Sequence, residues 1–386
     1  LKKTPWLVVL AIVSLTGPGV AQTVRPVVGK QEEVQVVGGD NLYKLGMRYS
    51  LAIEHFCFAN HMPIQLGVAV GRKLIVPLSR IMPDHPPANG LVVNLPERGV
   101  FLFRNGQMEK FYPVAIGQPG RFQTPTGSFT LNNRVKDPAW LPPKWAGKGE
   151  ITVPAGPDNP LGDRWMGLSA PGVGLHSTTS PTSIGAAASH GCMRMYPDSA
   201  HDLFDQVEVG MPVRIEYEPV KVGRDDDGNL FVVVFPDVYH EVDLTKEVAK
   251  RLDEAGLSGW VTQAQIDQWV RESTGTPQKI ADANVNVTVD GSPADATGGA
   301  VMGGQGIFCS GEVLRSAGFA ISFNADKQML VQRDGKEALF AVKPGPDLLP
   351  AVMFNGKAYI AAKSIKESFG YPIQWDPKTR TVALGT

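Results

Sequence analysis

The feature that most constrains the fold is a series of short apolar segments at close spacing. Leu91–Leu95, Val100–Phe103, Glu109–Ile116 and Gly127–Leu131 each read as a strand, and Asn105-Gly106 supplies a hairpin turn between the second and third. The pattern runs to Val213-Arg214-Ile215-Glu216-Tyr217, a last alternating strand before Glu218-Pro219, so residues 91–217 are expected to form one mainly-β domain. A strand at Leu230–Phe235 and a helix from about Asp243 to Ala255 read as an extension of that domain over 218–273. Asp225-Asp226-Asp227-Gly228-Asn229 lacks the bidentate acid of a calcium loop, since that position falls on Pro236, and reads as a solvated hairpin turn.

At 386 residues, with 42 Gly and 31 Pro, the chain exceeds one comfortable hydrophobic core and is rich in turns, so it is expected to be multidomain. A net charge of −1 lacks the clustered Lys and Arg that phosphate neutralisation requires, which argues against a nucleic-acid partner. Lys2 and Lys3, the apolar run Trp6–Leu15, the Gly17-Pro18-Gly19 break and the small residues Gly19-Val20-Ala21 follow the order of a secretory signal. Residues 1–21 are therefore expected to direct export to the periplasm or cell envelope, with cleavage after Ala21. The run is shorter than the about 20 apolar residues that cross a bilayer, so no permanent membrane span is expected; a retained anchor is the alternative.

Residues 22 to about 32 read as a polar linker, and Pro77, Pro83, Pro86 and Pro87 mark a second one to about residue 90. Between them, residues 33–78 carry an alternating strand, a turn with a helix N-cap at Gly38-Gly39-Asp40-Asn41-Leu42, two helical stretches and a closing strand, a βααβ order. Residues 280–386 contain an internal repeat at an offset of 52. Ile307, Val313, Gly318, Phe319, Ile321, Phe323 and Leu330 answer to Tyr359, Ile365, Gly370, Tyr371, Ile373, Trp375 and Val382. Each copy reads as an amphipathic helix, a Gly stop and two strands, which implies an α+β repeat domain with one shared core.

The three cysteines, Cys57, Cys192 and Cys309, fall in different segments and make a poor disulfide framework. Cys57, among Phe56, Phe58 and Ala59, and Cys309, entering the first repeat helix, read as small buried hydrophobes. Cys192 ends the run Ser189-His190-Gly191-Cys192 and follows Gly174-Leu175-His176-Ser177. A thiol nucleophile must be ionised and positioned, and an imidazole from a separate segment can take its proton and later return it to the leaving amine. His176 fits that role better than His190, because neighbouring residues on a strand point to opposite faces. Gly191 permits a tight turn in which main-chain N–H groups face the oxyanion formed at the attacked carbonyl. A structural His176, hydrogen-bonded in a loop, is the plain alternative. Metal binding by His176, His190 and Cys192 is a weak one, because no matching acid or Cys-x-x-Cys pair accompanies them. A papain-like arrangement is opposed by chain order, since there the Cys precedes the His.

These residues carry three resemblances. The run Ser189-His190-Gly191-Cys192-Met193-Arg194-Met195, with His176, Ala115-Ile116-Gly117 and Thr124-Pro125-Thr126-Gly127, resembles the L,D-transpeptidase catalytic domain of the YkuD (ErfK) type over about 91–217. Gly39-Asp40-Asn41-Leu42, Asn60 and Gly71-Arg72-Lys73-Leu74-Ile75-Val76-Pro77 resemble a LysM module over 33–78, and 280–386 is similar to the copper amine oxidase N-terminal-like domain, whose name implies no metal here.

The first resemblance implies a cysteine acyltransferase with Cys192 as nucleophile and His176 as proton acceptor and donor. Ser177 would orient that imidazole through its carbonyl, Arg194 would lie near the peptide, His190 would shape the turn or assist the oxyanion, a purely structural role being the alternative, and Ser189 and Gly191 would be supporting residues. It further implies a Cys192 thioester on peptidoglycan stem peptides, with no cofactor and no metal. That thioester would be aminolysed to form a 3-3 cross-link or to attach a lipoprotein to the wall. The alternatives are an L,D-carboxypeptidase or a hydrolase releasing wall-bound lipoprotein, and a non-catalytic wall-binding scaffold. The LysM resemblance implies binding to N-acetylglucosamine-containing glycan such as peptidoglycan.

Overall fold

The segments on either side of residues 33–78, which read as linkers, are strands held by a buried ion pair. In the computed structural model, which describes residues 24–142, 152–294, 299–304, 306–324, 328–342, 349–354 and 357–385, the chain divides into two bodies. The first comprises 24–253 and 261–282, the second 254–260 and 283–385. The expected signal at 1–21 lies outside the described residues. Among the described residues, no helix is long and apolar enough to cross a membrane.

The first body opens with β1 (Arg25–Val28), β2 (Glu32–Gln35), α1 (Leu42–Tyr49), α2 (Ile53–Ala59), β3 (Lys73–Val76) and β4 (Arg80–Ile81). β2 and β3 pair antiparallel and the helices close over them, the βααβ order expected for this stretch. Asn41 caps α1 by accepting from Lys44 N at 2.9 Å. The Asn60 side chain accepts from Ile75 N at 2.8 Å and donates to Ile75 O at 2.9 Å, which ties the end of α2 to β3. Leu42, Leu45, Phe56, Cys57, Leu74 and Val76 form the small core, where Cys57 is fully buried. Contrary to the linker reading, β1 lies between β4 and β14 (Val220–Arg224). Arg25 looks like a solvated residue in sequence, but it is buried against the Glu218 carboxylate, with one of their hydrogen bonds at 2.6 Å. That partner is 193 residues away, so no local signal reports it.

The middle of the body is a closed barrel. β5 (Gly90–Asn94), β6 (Gly99–Arg104), β7 (Gln107–Gly117), β8 (Gly127–Lys136), β9 (Arg164–Leu168), β10 (Gly174–His176), β12 (Met193–Met195) and β13 (Pro212–Glu216) follow the order β7-β12-β10-β9-β8-β13-β5-β6. The β6–β7 pairing completes the ring, and β11 (Ala187–Ser189) adds to the far end of β7. Asn105 and Gly106 both have positive φ, 49° and 74°, as a two-residue hairpin turn demands. Alternate residues Leu91, Val93, Leu102, Val114, Ile116, Leu175, Met193 and Met195 fill the interior. Val92, Phe101, Phe103 and Phe111 pack on the opposite face with Met82, so the central strands are buried on both sides. α3 (Pro197–Gln206) follows β12. The chain then continues through β14, β15 (Leu230–Val234), α4 (Leu244–Glu254), α5 (Gln263–Glu272) and β16 (Gln278–Asp282). β14 pairs antiparallel with β15, across the Asp225–Asn229 turn, and β15 with β16.

The βααβ unit is docked on the barrel. Ala52 and Tyr43 pack with Ile184, Ala115 and Tyr196, and the Tyr196 hydroxyl donates to Leu51 O at 3.3 Å. Arg98 bonds Glu54 at 2.7 Å with both side chains nearly shut off from solvent. His55 accepts from Ala52 N at its Nδ1 and donates from Nε2 to Glu97 O at 3.2 Å. Burial, with Arg80 and Arg98 nearby, pushes His55 down to about 3, so it is neutral at physiological pH. Glu54→Ala strands a buried guanidinium and is expected to destabilise the body by about 3–5 kcal/mol. Glu33→Ala, which removes the exposed partner of Lys73, is expected to change stability by less than about 1 kcal/mol. Urea unfolding of the two variants gives the comparison.

In the second body, β17 (Asn286–Val289), β18 (Ser292–Pro293) and β19 (Ala300–Gly303) precede two copies of a strand–helix–strand–strand unit. The first copy is β20 (Gly306–Ser310), α6 (Gly311–Ser316), β21 (Ala320–Phe323) and β22 (Met329–Arg333). After β23 (Lys336–Ala341) and β24 (Leu349–Phe354) comes the second copy, β25 (Lys357–Ala361), α7 (Ala362–Phe369), β26 (Ile373–Asp376) and β27 (Thr381–Leu384). β20 pairs antiparallel with β25 through Phe308↔Ala361 and Cys309↔Ile360, a register that maps onto itself under the 52-residue offset. The copies are thus related by a local two-fold. The equivalent rings Phe319 and Tyr371 meet edge to face at 5.0 Å. One pairing differs from the expectation. Phe323 faces Met329 and Trp375 faces Val382, so Met329 rather than Leu330 is the counterpart of Val382, the turn in the second copy being one residue longer. Cys309 is buried in the shared core, and burial pushes its thiol up to about 12.

Candidate active site

Two short parallel strands in the barrel bring His176 and Cys192 together. β10 and β12 are neighbours with Leu175↔Met193 and His176↔Arg194 in register. Strand alternation puts Leu175, Met193 and Met195 into the core, so Gly174 and His176 on one strand and Cys192 and Arg194 on the other share the opposite face. That face lines a groove of about 640 Å³, whose walls include Phe122, Trp140, Trp165 and Arg121. Gly174 leaves the room the site needs, since a Cβ there would lie 2.7 Å from both Met166 O and the Trp165 ring. The Trp165 ring also tilts against His176, with centroids 6.0 Å apart.

His176 is buried, with 4% exposure. Its Nδ1 lies 2.5 Å from Ser177 O, and because a carbonyl only accepts, the proton sits on Nδ1 and the acceptor lone pair on Nε2. Burial pushes the imidazole down to about 4; the Ser177 and Leu161 carbonyls oppose that shift and Arg194 reinforces it. Cys192 is half-buried, and its Sγ is 3.3 Å from Gly172 O. Burial raises its thiol above the ordinary value, against the pull of the Gly174 backbone and of Arg194. The resting pair is therefore a neutral thiol and a neutral imidazole. For a thiol and an imidazole in that state to act together, the proton would have to leave as the sulfur bonds carbon.

The turn before Cys192 is built by Ser189 and Gly191. Ser189 Oγ accepts from Gly191 N at 3.1 Å and donates to Cys192 O, while Gly191 adopts φ +114°, which disfavours any side chain. The Gly191 N–H is thus taken up inside the turn, so this main-chain donor is already committed to Ser189. His190 also lines the groove, with its ring edge to face on Phe122 at 4.5 Å. Arg194 sits two residues beyond Cys192 on the groove face. All seven residues singled out in sequence therefore converge here. Sequence reasoning assigned no role to Thr124, whose Oγ1 donates to Gly191 O at 2.9 Å, although it lies in one of the quoted motifs. Trp165 carried no local signal. Among the described residues, no three His, Cys, Asp or Glu side chains are arranged to hold a metal ion.

A closed β-barrel that sets a His on one strand and a Cys at the head of its neighbour in one groove offers the residue types that thiol acyl transfer requires. A profile of the YkuD L,D-transpeptidase catalytic domain matches residues 88–215. The Probable L,D-transpeptidase YcfS of Escherichia coli strain K12 is 28% identical over 264 residues, covering 65% of this chain and 80% of that protein. The Probable L,D-transpeptidase ErfK/SrfK of Salmonella typhimurium is 36% identical over 207 residues, covering 50% of this chain and 65% of that protein. The Probable L,D-transpeptidase YbiS of Escherichia coli strain K12 is 30% identical over 223 residues, covering 54% of this chain and 71% of that protein. The chain belongs to the L,D-transpeptidase family.

The depressed His176 value has a thermodynamic consequence. Below about pH 6.5 the unfolded chain takes up a proton that the folded site refuses until about pH 4, so stability falls as pH drops through that window. For this group the loss is expected to approach about 3 kcal/mol. Urea midpoints at pH 7 and pH 4.5 should fall further in the wild type than in His176→Gln.

Proposed function

We propose that the chain is an exported L,D-transpeptidase that uses Cys192 to transfer peptidoglycan stem peptides. The observation that carries this reading is the placement of His176 on β10 and of Cys192 in the turn that opens the neighbouring parallel β12, both lining one groove. In the first half-reaction Sγ attacks the carbonyl of the third stem residue as His176 Nε2 takes the thiol proton. The C–N bond to the terminal D-alanine then breaks, and that amine leaves with the proton from His176. In the second, an amine from another stem peptide, or from a lysine of a wall-anchored lipoprotein, attacks the thioester carbonyl as His176 Nε2 takes its proton; the C–S bond then breaks and that proton returns to Sγ. Trp140, Leu141, Val135 and Pro138 give the groove an apolar flank. Arg194 supplies a cation for a substrate carboxylate.

In this reading the βααβ unit is the LysM module that holds the enzyme on glycan. Val37, Ile64, Leu66 and Val70 are all exposed on its two long loops, and Leu42 N donates to Leu66 O to hold those loops together. An exposed apolar strip of this kind suits the N-acetyl faces of a sugar polymer. The repeat domain, similar to the copper amine oxidase N-terminal-like domain, is left without a chemical role.

Intact-protein mass spectrometry with a disaccharide tetrapeptide tests the chemistry. Wild type is expected to form an adduct and dimeric product, and Cys192→Ala neither; a Cys192-dependent adduct that yields only tripeptide would mean hydrolysis, and turnover by Cys192→Ala would overturn the reading. For the module, Ile64→Asp with Leu66→Asp is expected to reduce co-sedimentation with isolated wall several-fold while turnover of soluble peptide stays within about twofold. Unchanged sedimentation would remove the glycan-binding role.

A further inference from the structure

Behind the nucleophile turn lies a buried hydrogen-bond chain that starts outside the matched catalytic domain. Tyr239 follows β15 in the extension and is 6% exposed. Its hydroxyl donates to Gly117 O at 3.0 Å and accepts from Thr124 N at 3.1 Å. Thr124, 2% exposed, accepts from Gly117 N at its Oγ1 and donates from that oxygen to Gly191 O, both at 2.9 Å. A hydroxyl has one proton to give, so the direction is fixed: Tyr239 gives to Gly117, Gly117 to Thr124, and Thr124 to Gly191.

The last link bears on the chemistry. Among the described residues no peptide bond is cis, so the Gly191 carbonyl and the Cys192 N–H point in opposite directions across one planar unit. Holding the carbonyl toward Thr124 turns the Cys192 N–H to the other side and fixes the backbone that carries Sγ. Gly191, at φ +114°, has no side chain to resist rocking of that peptide. The clamp is itself tightly built. A Cβ on Gly117 would lie 2.0 Å from Phe122 O, so the 118–124 loop folds directly onto it while Arg121, Phe122 and Gln123 line the groove. Tyr239 is in turn held by Tyr217, on which it stacks at 5.5 Å and whose hydroxyl accepts from Tyr239 N at 2.9 Å.

We infer that Tyr239 is a positioning residue. Through Thr124 it fixes the Gly191-Cys192 peptide in the orientation from which Cys192 attacks, which makes the extension part of the catalytic apparatus. The inference rests on Cys192 being the nucleophile.

The test compares steady-state turnover of a soluble stem tetrapeptide by the full chain with Tyr239→Phe, Thr124→Val, their double variant and Tyr112→Phe. The last removes a buried tyrosine hydroxyl that bonds Asp202 and Gln206, away from the turn. Tyr239→Phe is expected to lower kcat about tenfold or more with KM within about threefold, and the double variant to be little worse than the poorer single. Tyr112→Phe is expected to keep kcat within about twofold at a comparable loss of melting temperature. Wild-type kcat in Tyr239→Phe, or losses that multiply in the double variant, would overturn the inference, as would an equal loss in Tyr112→Phe. If Tyr239→Phe fails to fold, the Thr124 pair decides: activity kept in Thr124→Ser and lost in Thr124→Val supports the clamp, and equal activity overturns it. Turnover by Cys192→Ala would instead remove the nucleophile reading, an outcome separate from any result at Tyr239.

Discussion

The parallel pairing of β10 with β12 is the constraint on which the site depends. Its register sets His176 beside Arg194 and Leu175 beside Met193, and strand alternation then divides these residues between core and groove. Shifting β10 by one residue would turn His176 into the barrel interior, and shifting β12 would turn Met193 into the groove. The closed barrel holds that register, because β10 and β12 are flanked by β9 and β7 and have no free edge on which to slip. The ladder thus sets His176 and Arg194 in place, and the turn that opens β12 sets Cys192 beside them.

Around that ladder, charge is buried where sequence position gives no hint of it. Glu97 receives Lys221 and faces Arg80, while Arg98 pairs with Glu54 and Arg25 with Glu218. Each pair joins segments far apart in the chain, and the removal of one partner leaves a desolvated charge. The βααβ unit therefore forms part of the body that carries the barrel, and is not a bead on a flexible tether. Its Ala52 meets Gly185 and its Leu51 carbonyl receives Tyr196, on either side of the segment that bears Cys192.

Much of the local structure was legible. The Asn105-Gly106 turn, the alternation of β5 to β7, the βααβ order and the two repeat helices all follow from patterns a few residues long. Cys57 and Cys309 also proved as inert as their apolar neighbours suggest, both fully buried. The linker readings failed because Arg25 and Arg80 look solvated until their carboxylates are known. The Leu330–Val382 pairing failed because an offset read from sequence does not register a turn that is one residue longer.

The chemistry on offer was already in the sequence: one Cys in a glycine-bearing turn and a His from a separate segment, enough to mark a thiol site. The fold set the protonation states: burial makes His176 a neutral imidazole, and the Ser177 carbonyl holds the proton on Nδ1 and leaves the lone pair on Nε2. It also decided that the Gly191 N–H belongs to Ser189, and that Thr124 and Tyr239 stand behind the turn. Hydrogen bonds between residues 67 and 115 positions apart depend on where the barrel and its extension place them, and no local pattern encodes that.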